Sequence, residues 1–341
     1  MSEKTNRSAC RICGNDTDNR SYILKEMMFG LQEEFAYSEC SKCECLQIVD
    51  IPRDLTKYYP ASYYSYADPS ERPSSGLRAL MARSRNRHYL AKRNFLGRIL
   101  DTWRPNTTMR LIGLANLTPA SRILDVGCGA GAILTDMKEA GFDNVMGIDP
   151  FLQCDTRTSN GVSLRKISLR GMDGIWDLIM FHHSFEHMPD PAEQLAAASS
   201  LLAPEGVCLV RIPTVTSYAW QFYRTHWSQL DPPRHCFLHS KRSLLLAAAR
   251  AGLHCERAIY DSTAFQFWGS ELVARGIPLV NDMSHFKDPR KSIFTSSEID
   301  AFEKRAAELN KANLGDQAAY FLRKADRTKH ATGEEGGVQP C

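Results

Sequence analysis

The chain has 341 residues, 43% of them hydrophobic and 24% charged, with a formal net charge of +3. That length suggests one main domain with additions, and the charge is too small to imply a nucleic-acid partner by itself. Residues 1–8 are polar and lack the apolar stretch of a signal peptide. No apolar run reaches the about 20 residues that span a bilayer, so a cytoplasmic protein is expected.

Eleven cysteines in such a chain argue against a disulfide scaffold. Five of them, Cys10, Cys13, Cys40, Cys43 and Cys45, fall in the first 45 residues. Cys10-Arg-Ile-Cys13 and Cys40-Ser-Lys-Cys43 are two C-x-x-C knuckles, each able to give two thiolates to a tetrahedral zinc. Gly14 permits the positive φ that such a turn needs, and residues 21–24 and 34–38 read as strands. A zinc ribbon over residues 1–50 is expected, with Cys45 as a spare thiol. Its metal would be structural, because four cysteines leave no open coordination position. The alternative is a cluster of reduced cysteines without metal. Cys128, Cys154, Cys208, Cys236, Cys255 and Cys341 are scattered and read as buried small apolar residues or free thiols.

Residues 51–118 form a tyrosine-rich and then basic connection. Tyr58, Tyr59, Tyr63, Tyr64 and Tyr66 combine rings and hydroxyls suited to a polar organic pocket, or to packing an extended segment on the main domain. Residues 68–76 read as a linker. Over 77–100, Leu77, Leu80, Met81, Ala91, Phe95 and Ile99 recur at helical spacing among Arg78, Arg83, Arg85, Arg87, His88, Lys92, Arg93 and Arg98. This pattern suits an anionic substrate, a nucleic-acid backbone or a phospholipid surface, and also a plain solvated helix face.

The most informative segment opens the next unit, residues 119–260. Ile123-Leu-Asp125-Val-Gly127-Cys-Gly129-Ala-Gly131 runs a short strand into alternate glycines, and a helix is expected over 132–140. The glycines let a ligand approach backbone where a Cβ would clash, and Asp125 suits a positively charged ligand better than a pyrophosphate. About 20 residues on, a strand ends in Asp149-Pro150, placed to accept hydrogen bonds from a ribose. Further strands are expected over 162–169, 175–181 and 207–212, with a helix over 192–202, which together give an α/β alternation. Residues 182–191, His-His-Ser-Phe-Glu-His-Met-Pro-Asp-Pro, follow the fourth strand.

The Asp125–Gly131 loop, Asp149, the Phe-Glu-His-Met-Pro-Asp-Pro run and the Pro204-Glu-Gly206 turn resemble the UbiG-like branch of class I S-adenosylmethionine methyltransferases. Leu230-Asp-Pro-Pro-Arg234-His235, a helix at 243–252, Gly269-Ser-Glu271 and the stretch from Leu309 to Gln317 are similar to a sub-branch with an N-terminal zinc-binding domain. That sub-branch includes sugar C-methyltransferases and relatives linked to polysaccharide biosynthesis. The resemblance covers about residues 9–325. It implies a Rossmann-like sheet with an N-terminal zinc ribbon and a helical C-terminal extension. It also implies S-adenosylmethionine contacts from Asp125, Gly127, Gly129, Gly131, Asp149, Ser168, Phe181 and His182. His183, Glu186, His187 and His235 lie where a catalytic base belongs, and a histidine suits neutral pH. Some O-methyltransferases of the branch hold a divalent ion at this point, and Glu186 and His187 match, with His183 standing where an acid is expected.

A small polar acceptor follows as the expected substrate, a sugar or nucleotide-sugar methylated at carbon or oxygen. The alternatives are an RNA-modifying or RNA-binding protein, a phenolic O-methyltransferase, and a cofactor-binding protein without catalysis. Residues 261–326 are expected to be helical after a strand at 256–260, with helices over 296–309 and 317–323. Residues 327–341 read as a disordered tail.

Overall fold

The computed structural model describes residues 9–60, 76–91, 95–103, 105–280 and 291–325. The tail, Tyr63, Tyr64, Tyr66 and the linker up to residue 75 lie outside the described residues. Strands β1 (Arg20–Lys25), β2 (Glu34–Glu39) and β3 (Leu46–Ile48) form an antiparallel meander between the two cysteine knuckles and just beyond them. The basic stretch forms the helices α1 (Leu77–Ala91) and α2 (Phe95–Trp103), followed by α3 (Thr107–Gly113), which Asn106 caps through the Met109 amide.

The main sheet uses β4 (Ile123–Val126), β5 (Val145–Ile148), β6 (Thr156–Arg157), β7 (Ser163–Arg165), β8 (Trp176–His182) and β9 (Leu202–Pro213). Helix α4 (Ala132–Glu139) follows β4, and α5 (Pro191–Leu201) joins β8 to β9. Beyond β9 come α6 (Tyr218–Tyr223), β10 (Phe237–Leu238), α7 (Lys241–Arg250) and β11 (Leu253–Tyr260). The chain then adds α8 (Phe265–Ala274), α9 (Ser296–Lys311) and β12 (Gln317–Lys324). The strand order is β11-β12-β9-β8-β4-β5-β7-β6. β4 pairs in parallel with both β5 and β8, so the chain leaves β4 toward one edge and later returns to its other side. The reversal opens a crevice at the carboxyl ends of β4 and β8, where ligands bind in such sheets.

Neighbouring residues of the central strands feed opposite cores, as the strand period requires. Leu124, Ile179 and Phe181 lie in one apolar cluster with Leu195 and Leu244, while Ile123, Leu178 and Met180 lie in the other with Leu134 and Phe142. Residues 317–323, expected as helix, are strand β12, lodged between β9 and β11. Its first six residues are all buried. A strand covered on both faces loses the alternation that marks it in sequence, and Ala318, Ala319 and Leu322 also favour helix. The expected third strand shrinks to three residues, and a turn of 3₁₀ helix takes Leu169–Gly171.

Candidate active site and cysteine cluster

Three glycines in the loop after β4 have positive φ: Gly127 (77°), Gly129 (50°) and Gly131 (75°). A Cβ on Gly127 would sit 2.5 Å from the Ser184 Cβ, so the loop and the end of β8 meet without room for a side chain. Ser184 closes the contact by donating its hydroxyl to the Val126 carbonyl (2.6 Å). At the tip of β5 the Asp149 carboxylate accepts from the Gly129 amide (3.1 Å) and the Phe151 amide (2.9 Å). Asp125 lies behind the loop, 3% exposed. Burial, then the charge of Asp149, pushes its carboxyl up to about 7. Asp149 is itself raised by burial, against the two amides that favour its charge. Two neighbouring buried acids, each raised by burial, suit a cation.

Beside the loop lies a cavity of about 990 Å³ lined by Ala130, Phe151, Leu152, Gln153, Thr158 and Leu164 on the sheet side. Its other wall is Arg53, Asp54, Leu55, Thr56 and Tyr59, the stretch that leaves the N-terminal strands. The Tyr59 ring stacks on Phe151 (centroids 6.1 Å) and meets His187 edge-on (6.3 Å). Its hydroxyl is 3.3 Å from His187 Nδ1.

Past β8 the chain turns sharply at His183, whose φ of 51° is strained for a non-glycine residue. Arg211, on β9, reaches the Nε2 atoms of both His182 and His183 at 3.0 Å. Arginine only donates, so both rings accept at Nε2 and carry their proton on Nδ1. Asp261 holds the guanidinium through Nε (2.8 Å) and Nη2 (2.6 Å). His183 Nδ1 then points its hydrogen at Glu186 Oε1, 3.4 Å away. Burial and the Arg211 charge hold His182 neutral.

Glu186 is 1% exposed, and neither carboxylate oxygen has a hydrogen-bond partner of good geometry. Burial opposes its charge, but the His183 contact and the neighbouring imidazoles win and pull it down to about 2. His187 donates from Nδ1 to the Arg234 carbonyl (2.9 Å), and His235 from Nδ1 to the Gln229 carbonyl (2.8 Å). Each therefore presents a bare Nε2 when neutral. Burial and the adjacent His235 lower His187 to about 4, so it is a free base at neutral pH. Glu186, His187 and His235 each offer a ligand atom within 4.8 Å of the others.

The fold thus brings Asp125, Gly127, Gly129, Gly131 and Asp149 to one crevice, and gathers His183, Glu186, His187 and His235 beside it. Phe181 has its ring in the core against Phe185 (5.4 Å), so only its backbone is available to a ligand. Ser168 precedes the 3₁₀ turn at 169–171, and His182 lies on Arg211. Tyr59, one of the tyrosines suited to a polar pocket, lines the cavity, while Arg211 and Asp261 are site residues that the motifs do not include. The signal for Arg211 was an arginine inside an otherwise apolar strand, since a buried charge requires partners.

Cys10, Cys13, Cys40 and Cys43 bring their four sulfurs within 4.8 Å of one another, with Cys10–Cys43 and Cys13–Cys40 each at 3.5 Å. A zinc–sulfur bond of about 2.3 Å sets tetrahedral sulfur–sulfur edges of about 3.8 Å, so the donor set fits zinc. The Cys43 contact, against burial, pulls the Cys10 thiol down to about 5, while Cys43 is pushed up. Cys45 stands outside the group, fully buried. β3 pairs with β10, so this sheet takes its last strand from the segment after His235.

An open, mostly parallel sheet with a glycine loop at its reversal and an acid at the next strand tip defines a class I methyltransferase domain. A family model described as a methyltransferase domain matches residues 74–258, and the chain belongs to that family. The ubiquinone biosynthesis O-methyltransferase of Psychrobacter cryohalolentis is 32% identical over 106 residues, covering 26% of this chain and 39% of that protein. The enzyme of the same description from Acinetobacter baylyi is 31% identical over 97 residues, covering 25% and 40%. The chain therefore spans about two fifths of these relatives. Among solved structures, a cyclopropane synthase from Mycobacterium tuberculosis aligns at 19% identity and a TM-score of 0.39, over 62% of this chain and 82% of that one. A SAM dependent methyltransferase from Archaeoglobus fulgidus aligns at 17% identity and 0.39, over 67% and 98%.

Proposed function

We propose that the protein transfers the methyl group of S-adenosylmethionine to a small polar acceptor, a sugar or nucleotide-sugar methylated at carbon or oxygen. The observation that carries this reading is the Gly129–Asp149 contact at the tips of β4 and β5, beside a large cavity whose wall residue Tyr59 reaches His187. The cofactor supplies an electrophilic methyl carbon on a sulfonium, with a neutral thioether as leaving group. Asp149 keeps lone pairs for the ribose hydroxyls, and Asp125 offsets the positive charge. The backbone at Gly127, Gly129, Gly131 and Phe181 gives close approach, with Ser168 and His182 at its margins. Aligning the acceptor is the main contribution of the protein, and removing one proton is the second. His187 and His235 take that role through Nε2. His183 has both ring nitrogens engaged and orients Glu186, whose charge stabilises the protonated imidazole.

Zinc on Cys10, Cys13, Cys40 and Cys43 is structural in this reading, and a reducing cytoplasm suits its thiolates. The stretch from Arg53 to Tyr59 forms the acceptor-side wall, and residues 119–260 with β12 carry the cofactor. The relatives' name favours a phenolic acceptor as the alternative, and salt-dependent RNA affinity would favour an RNA substrate. A second reading of the histidine cluster rests on the unpartnered oxygens of Glu186. Two histidines with Nδ1 tied to carbonyls and one bare carboxylate are the preparation for a divalent ion. Metal analysis after dialysis separates the two: one zinc per chain supports the proton-transfer reading, and a further divalent ion supports the metal reading. The main test is calorimetry with S-adenosylmethionine followed by turnover against nucleotide-sugars and phenols. If Asp149→Ala and Gly129→Val bind the cofactor as tightly as the parent, the proposal is wrong.

A further inference from the structure

Helices α1 and α2 carry a surface that the methyl-transfer chemistry does not use. On α2, Phe95, Leu96, Ile99 and Trp103 are exposed, Phe95 at 78% and Trp103 at 82%. At helical spacing these four span an arc of about 100°. Gly97 lies on the opposite side and packs on α1, where a Cβ would come within 2.3 Å of the Ser84 carbonyl oxygen. The apolar stripe therefore faces away from the protein. Leu77, Leu80 and Met81 on α1 are exposed as well. Seven of the sixteen large apolar side chains exposed among the described residues thus fall within 77–103, a concentration in one stretch of the chain.

The same stretch is strongly cationic. Residues 77–104 contain eight arginines and lysines against the single acid Asp101, a net charge of +7 in a chain whose total is +3. The rest of the chain is net acidic, so the positive charge is concentrated in this stretch of sequence. Arg83 pairs with Glu139 at 2.9 Å, while Arg87 and Arg98 are exposed.

We propose that this face docks the protein on an anionic phospholipid surface, with the α2 stripe in the acyl boundary and the arginines among the headgroups. A second copy of the chain fits poorly, because two faces of +7 would repel. A nucleic acid would satisfy the charge and could stack on Phe95 and Trp103, but offers nothing to Leu77, Leu80, Leu96 and Ile99. A bilayer supplies both hydrocarbon and negative charge. No helix among the described residues is long and apolar enough to cross a membrane, so the contact is with the surface.

The test is sedimentation of the full-length protein with phosphatidylglycerol–phosphatidylcholine vesicles and with pure phosphatidylcholine vesicles. Binding is expected to the first and not the second, with release by high salt. Arg87→Gln with Arg98→Gln should weaken it about thirtyfold, at roughly fivefold per cation. Phe95→Ser with Trp103→Ser should abolish it while leaving the melting temperature unchanged, since both side chains are solvated. Brominated lipid should quench wild-type tryptophan fluorescence more than that of Trp103→Phe. Three results would overturn the proposal. These are failure to bind anionic vesicles, a dimer that the Phe95→Ser, Trp103→Ser variant dissociates, and single-stranded RNA binding that the same variant loses while vesicles are ignored.

Discussion

Cofactor binding should expel a proton, because of where Asp125 sits. Burial and the Asp149 charge raise its carboxyl from the ordinary 3.8 to about 7. At about 1.4 kcal/mol per unit, ionising it at neutral pH costs up to about 4 kcal/mol. The folded value lies above the unfolded one, so between pH 4 and 7 the folded chain holds a proton that the unfolded chain has lost. This contribution to stability is full below pH 4 and declines through that window as pH rises. A bound sulfonium and ammonium favour the ionised acid and reverse the penalty. At pH 6 about nine-tenths of Asp125 is protonated in the free protein, so S-adenosylmethionine should displace nearly one proton, and at pH 8 about a tenth of one. Affinity should rise about tenfold per pH unit below 7 and level off above it. Calorimetry in two buffers of different ionisation enthalpy reads the proton count directly. Asp125→Asn should remove the proton release, weaken binding by about 10- to 100-fold through loss of a charged contact, and raise the melting temperature at pH 8. No proton release at pH 6, or an Asn variant less stable than the parent at pH 8, would refute the reasoning.

Gly127→Ala meets both a positive φ of 77° and the Ser184 Cβ at 2.5 Å. It should lose about 2–4 kcal/mol in urea unfolding and the cofactor affinity with it; unchanged stability would contradict the close contact. Cys13→Ser should cost the ribbon its zinc, while Cys45→Ser, outside the cluster, should retain one zinc per chain by metal analysis. Arg211→Met takes the cation from the buried Asp261, leaving it the Gln317 amide, and should destabilise by about 3–5 kcal/mol. Nitrogen-15 spectra should show His182 and His183 as Nδ1–H tautomers in the parent, and Nε2–H tautomers there would remove Arg211 from its positioning role.

The parts that could be read from the chain are those whose chemistry is local. The glycine spacing from Gly127 to Gly131, the acid at the next strand tip and the two C-x-x-C knuckles each sit within a few residues. Their backbone demands can be stated without knowing the rest of the fold. His183, Glu186 and His187 were legible as neighbours for the same reason. His235 joins them only because the chain after α6 returns past β8, and its membership rested on resemblance. β12 escaped notice because a strand buried on both faces carries no alternation. β3 escaped because its second partner, β10, lies almost 190 residues further on. Tyr59 stood among five candidate tyrosines, and only the packing on Phe151 and His187 distinguishes it.

The long-range pairing of β3 with β10 matters because it joins the cysteine cluster to the histidines. Arg234 is fully buried, and its guanidinium spans three segments. It donates to Glu26 between β1 and β2 (2.8 Å), to Asp231 (2.9 Å) and to the Tyr58 carbonyl (2.8 Å). Glu26 in turn accepts from the Phe29 and Leu31 amides, which fixes the turn before β2. The backbone carbonyl of the same Arg234 sets the tautomer of His187, and the next residue is His235. Tyr58 is followed by Tyr59, which faces His187 from the other side. A shift in the N-terminal strands therefore reaches both imidazoles through one residue. Zinc on the four cysteines would hold those strands in place, since so short a meander buries too little apolar surface to fold alone. On this geometry the cysteine cluster bears on the placement of His187 and His235, although it lies outside the crevice and offers no ligand to it.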